Sequence, residues 1–234
     1  FAIASVALLA VGLGTTTLAA GPNAASVRGK VVGWEKLSPQ VYADASKNDA
    51  RHTWREPSPT VKQEFRKLSA NVSRDVCIAA ISSSGNANAH EPLPIKVTGG
   101  RITPSTIVLS PGSRLSLKNV DPFPHNLYEV GNDKWAANSV APGSSREWAA
   151  TTPGVHVIRD ELFPSVVMYV VVDPAAVEFA LPDHEGAFTM PLPPGDYTLR
   201  AFFDGKQAGK DSTVHVGAGG MEMREPMAVG GETK

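Results

Sequence analysis

The sequence predicts an all-β, mainly antiparallel protein built from two β-sandwiches with a short helical insertion. Short runs rich in β-branched residues recur from Pro94 onward, at 95–97, 106–109, 114–118, 126–130, 154–158 and 166–172, a spacing that points to an antiparallel sandwich. The 19 prolines and 21 glycines are scattered along the chain, which suits many short elements joined by turns rather than long helices. Arg114, Ser116 and Lys118 alternate with Leu115 and Leu117, the pattern of a strand with one face in water.

Residues 1–20 carry no charge and have an apolar centre. They read as the hydrophobic part of a secretory signal, with a membrane span as the competing reading. Residues 1–25 are therefore taken as a signal peptide or N-terminal membrane segment plus spacer, and the protein is expected to be exported, periplasmic or secreted. Residues 26–98 read as the first part of a small β-sandwich, with strands at 27–34 and 75–81 and a helical insertion at 38–71. Within the insertion Ser58 can cap, Pro59 suits the first helical position, and Val61, Phe65 and Leu68 share one face, with Asn71 closing the helix. Residues 99–173 form the central domain, with turns at Pro111-Gly112 and 141–145. Residues 174–217 supply the remaining strands of the small sandwich, at 177–181, 187–190, 196–203 and 212–216, with a turn at Asp204-Gly205. Residues 218–234 are expected to be a flexible tail on composition.

The hydrophobic fraction of 42% is that of a globular protein, and a net charge of −1 gives nucleic acid or an anionic membrane nothing to bind. Membrane contact is expected only through residues 1–20. Cys77 is the one cysteine in the sequence, so no intramolecular disulfide can form; inside an apolar strand and without a basic neighbour, it reads as a small core residue. There is no Ser/His/Asp set with a nucleophile elbow and no phosphate-binding glycine loop. A non-enzymatic protein is expected.

Two runs carry resemblances. The segment Asp-Pro-Phe-Pro-His-Asn (121–126), followed by Pro-Gly-Val-His-Val-Ile (153–158) and Tyr-Val-Val-Val (169–172), makes residues 99–173 similar to the cupredoxin (plastocyanin-like) family, a Greek-key sandwich. The run Gly186-Ala-Phe188 with Pro-Pro-Gly-Asp-Tyr-Thr-Leu (193–199) resembles the transthyretin-like, carboxypeptidase-regulatory sandwich. A cupredoxin inserted in or adjacent to such a smaller sandwich is the plan of methylamine-utilisation-type plastocyanin-like proteins, which the whole chain resembles.

That resemblance implies a type 1 copper site, which needs two imidazoles, a thiolate and a weak axial thioether. His125 matches the upstream ligand. Aligning the downstream motif on Pro164 places Asp160 where the family has cysteine, Phe163 where it has the second histidine and Val166 where it has methionine. The copper ligands are thus largely lost, and no cofactor is expected. The alternative is a non-standard copper or zinc site around His125, with Asp160, and Glu161 beside it, as partners. His156 is placed near the same pocket, whereas His52, His90 and His184 form no cluster. Met221, Met223 and Met227 could offer thioethers to Cu(I), or form a solvated or partner-packing segment. The partner expected is another envelope protein, and the candidate surface lies in the insertion: Tyr42, Trp54 and Phe65 beside Arg51, Arg55 and Arg66, residue types enriched at interface hot spots.

Overall fold

The computed structural model describes residues 25–39, 70–83 and 92–230. Of the insertion expected at 38–71, residues 40–69, with Tyr42, Trp54, Arg55 and Phe65, lie outside the described residues, as do residues 1–24, His52 and His90. Among the described residues the architecture is all-β and mainly antiparallel, with one short α-helix, α1 (Val72–Asp75). Asn71 opens that helix: its side chain accepts from the Ser73 N–H at 3.1 Å, the geometry of an N-cap. Among the described residues no helix is long and apolar enough to cross a membrane.

The central sandwich has one sheet in the order β4-β3-β6-β9, from β3 (Leu93–Thr98), β4 (Arg101–Thr103), β6 (Arg114–Asn119) and β9 (Ser145–Ala149). The facing sheet runs β5-β11-β10-β7-β8, from β5 (Thr106–Leu109), β7 (His125–Glu129), β8 (Asn138–Val140), β10 (Gly154–Asp160) and β11 (Val167–Val172). The alternation read in β6 is realised, with Leu115 and Leu117 fully buried and Arg114 and Lys118 outside. Between the sheets lie Ile95, Val97, Leu127, Ile158, Met168 and Val170 among others, and each fully buried aliphatic side chain there contributes about 1.5–3 kcal/mol of transfer free energy.

Strands from both ends of the chain make the second sandwich. One sheet is β13-β1-β17, from β1 (Ser26–Val32), β13 (Ala187–Pro191) and β17 (Met221–Glu222), with β18 (Met227–Ala228) also on β1. The other is β12-β2-β14-β15, from β2 (Val76–Ile81), β12 (Ala176–Ala180), β14 (Gly195–Phe203) and β15 (Lys206–Gln207), with β16 (Ser212–Val216) on β14. Val27, Val31, Ile78, Phe188, Met190, Leu199 and Val214 share its core. Of the segment expected to be a flexible tail, 218–234, the described residues carry strands β17 and β18. Strands β17 and β18 pair parallel to β1 and give that strand the hydrogen-bonding edge that β13 leaves open. Met227 is buried there and Met221 half-buried, so these methionines pack rather than lie in solvent.

Strands β2 and β11 are buried on both faces, which explains their unbroken apolar character. Val76, Ile78 and Ala80 enter the second sandwich, while Cys77 and Ala79 turn to a layer shared with Val108, Val171, Ala176 and Phe202. That layer joins the two sandwiches. Burial pushes the Cys77 thiol up to about 12, as suits a packed, inert side chain.

Candidate functional site

The site begins with Asn119 at the end of β6, which is fully buried and spends its side chain on backbone. Its Nδ2 donates to the Phe123 and Val140 carbonyls, both at 2.8 Å, and its Oδ1 accepts from the Asp121 N–H at 2.9 Å. The proline-flanked loop 120–124 is thereby held against β8, with Asp121 aimed inward. Gly99 and Gly100 both have positive φ, 61° and 64°, a conformation that suits glycine. It points two successive N–H groups at the Asp121 carboxylate, at 2.6 and 2.9 Å. At the far side Asp160 ends β10. Its Oδ1 accepts from the N–H groups of Leu162 at 2.7 Å and Phe163 at 3.2 Å, which fixes the loop after the strand.

His125 stands between these two carboxylates, fully buried. Its Nδ1 lies 2.5 Å from Asp160 Oδ2 and its Nε2 lies 3.1 Å from Asp121 Oδ2. An ionised carboxylate only accepts hydrogen bonds, so the arrangement calls for a proton on each ring nitrogen. Burial alone would push the Asp121 carboxyl up, but the N–H groups of Gly100 and Gly99 and the His125 ring outweigh it and hold the carboxyl below its ordinary range. Phe123 and Phe163 stack on each other at 4.8 Å and close over the imidazole at 5.3 and 4.9 Å. Val166 is fully buried in the sandwich core.

The structure thus brings His125, Asp160 and Phe163 together and adds Asp121, which the sequence reading missed. Its four-residue separation from His125 was a visible signal, but its glycine donors lie 21 and 22 residues upstream. Glu161 is exposed and contacts Asn126 at 3.5 Å rather than the imidazole. His156 is not near this pocket. It bonds Glu129 at the opposite end of β7, roughly 13 Å further along the strand, because its position on β10 is four residues from Asp160. His184 is a surface residue against Ser73 at 3.1 Å.

A type 1 copper centre does not fit these residues. A thiolate is required, and Cys77 is buried in the layer between the sandwiches. The one imidazole has both nitrogens engaged. Among the described residues no group of three or more His, Cys, Asp or Glu side chains is arranged to hold a metal ion, this trio included.

No family model matches the chain, and a search of curated proteins finds no match. Among solved structures the chain is similar to a purple cupredoxin from Nitrosopumilus maritimus, at 18% identity and a TM-score of 0.32 over 35% of this chain and 99% of that one. It is similar to a copper-containing nitrite reductase from Thermus scotoductus at 15% identity and a TM-score of 0.32, over 40% of this chain and only 25% of the reductase. A reduced amicyanin variant gives 17% identity and a TM-score of 0.33 over 41% of this chain and 99% of that one. The likeness is to cupredoxin-type β-sandwiches at low identity.

Proposed function

We propose that this is a non-enzymatic exported envelope protein. In this reading a degenerate cupredoxin-like domain, carried on a split transthyretin-like sandwich, serves as a structural or protein-binding module whose partner is another envelope protein. The observation that carries the proposal is the His125 ring. Both of its nitrogens are held by carboxylates that are themselves bonded to backbone N–H groups. Such a ring offers no lone pair to a metal, and the trio does with a proton what a bound ion would otherwise do: it ties the 99–100 turn, the 120–124 loop and the end of β10 together. Folds outlast their sites, so a retained sandwich is no argument for retained redox chemistry.

One observation favours the second reading, a metal-binding protein with a non-standard site around His125. Two carboxylates flank one imidazole, one at each ring nitrogen, so a hard ion such as Zn²⁺ that displaced a proton would meet one nitrogen and one carboxylate, with its further donors supplied by water. Titration of the purified protein with Zn²⁺ and with Cu²⁺, alongside His125→Ala, separates the two. The module reading expects no binding tighter than about millimolar that depends on His125; micromolar binding lost in His125→Ala would establish the second reading instead.

A further inference from the structure

A second histidine–carboxylate pair, with the carboxylate buried and the ring half-buried, lies at the other end of the same two strands. In the β7–β10 ladder Leu127 faces Asp160 and Glu129 faces Ile158. His125 sits two residues before Leu127 and His156 two before Ile158, so each histidine reaches diagonally to the carboxylate opposite its i+2 neighbour, and both pairs point inward beside the core residues Leu127 and Ile158.

Glu129 is buried and fully subscribed. Its Oε2 accepts from the Trp148 indole N–H at 2.7 Å and the Asn132 amide at 2.8 Å, and its Oε1 lies 2.6 Å from His156 Nδ1. His156 Nε2 lies 2.8 Å from the Thr152 carbonyl oxygen. A carbonyl only accepts, so Nε2 carries a hydrogen; the Nδ1 contact then needs a proton of its own, because the carboxylate brings none. The node joins three elements. Glu129 belongs to β7, Trp148 to β9 in the facing sheet, and Thr152 to the turn between β9 and β10. The ring also meets Trp148 edge-on at 5.3 Å and lies opposite Val170 on β11. Glu129 is the ionisable group bonded to it, and Trp148, Asn132, Val170 and the Thr152 carbonyl are uncharged.

We propose that the Glu129–His156 pair is a proton-operated clasp that holds the β9–β10 turn and Trp148 onto β7 while one proton is shared between ring and carboxylate, and lets them go on acidification. When Glu129 takes up its own proton, the charge that holds the ring is lost and one of its two oxygens becomes an O–H, which takes an acceptor position from the three donors His156, Trp148 and Asn132. Burial alone would push the Glu129 carboxyl up, but hydrogen bonds from His156, Trp148 and Asn132 prevail and hold it below its ordinary value of 4.5. A depressed carboxylate stabilises the folded state above its unfolded value and loses that contribution as pH falls through the folded one, so the clasp opens from the acid side.

The test is nitrogen-15 NMR of the histidine rings and of the Trp148 indole across a pH series, in the wild type and in Glu129→Gln. In the variant the amide can donate to a neutral Nδ1 and accept from Trp148, which preserves every hydrogen bond without the extra proton. The wild type is expected to show hydrogens on both His156 nitrogens at pH 7 and an acid-triggered shift of the Trp148 indole signal. Glu129→Gln should show one ring hydrogen at pH 7, and its Trp148 indole should respond only where the ring takes up a second proton, not at the acid transition of the wild type. A singly protonated ring in the wild type, or the same response in both proteins, overturns the proposal. Should Glu129→Gln fail to fold, Asn132→Ala removes one donor from the carboxylate and must move the acid transition of Trp148 to higher pH; no movement there also overturns it.

Discussion

Asp121 carries more of the candidate site than any residue the cupredoxin resemblance pointed to. It takes the Gly99 and Gly100 N–H groups and His125 Nε2 on two oxygens, so Asp121→Asn sets an amide hydrogen against a donor in any orientation. Breaking one partner of a buried charged pair costs about 3–5 kcal/mol, and urea denaturation at pH 7 is expected to show a loss near the lower end of that range. Because the Asp121 carboxyl is held low, its contribution is complete above the ordinary value of 3.8 and lost as pH falls through its folded value. The gap between wild type and Asp121→Asn should therefore shrink in acid; a gap constant down to pH 2.5 would show that charge has no part in it. His125 and Asp160 were nameable from the motif alone. The glycine pair that orients Asp121 was not, since nothing local in the sequence couples residues more than 20 positions apart.

Strand β1 organises the second sandwich at the level of elements, pairing with β13, β17 and β18 at once. Gly29 marks how closely its neighbours approach. A Cβ there would lie 2.6 Å from the Phe188 ring and 2.7 Å from the Met223 sulfur, so Gly29→Ala overpacks the site and is expected to cost about 1–3 kcal/mol in urea denaturation. Strands with regular alternation or unbroken β-branched runs, such as β6 and β11, were legible because their pattern is local. Strands β4, β8, β17 and β18 are two or three residues long and exist through the partner that pairs with them. The 218–230 segment reads as flexible on composition and becomes ordered because β1 offers it an edge.

The two sandwiches meet through a thin apolar layer in which Phe202 is the largest fully or largely buried side chain beside Cys77, Ala79, Val108 and Val171. Phe202→Ala opens a cavity there, with an expected cost of about 3–5 kcal/mol. Calorimetry should show a lowered transition that splits into two as the sandwiches uncouple; a single transition shifted by less than about 2 °C would show that the layer does not join them.

The sequence by itself determined the all-β class, most of the longer strands, the packed setting of Cys77 and the lack of a thiolate beside His125. Each of these is written in residue type or in a period of two along the chain. Only the tertiary structure decided what surrounds His125, and that a second histidine–carboxylate pair lies at the other end of the same strands. Both depend on diagonal register between β7 and β10 and on backbone N–H groups brought in from distant turns. Hydrogen-bond geometry of that kind is set when the sheets close, and no local pattern of side chains encodes it.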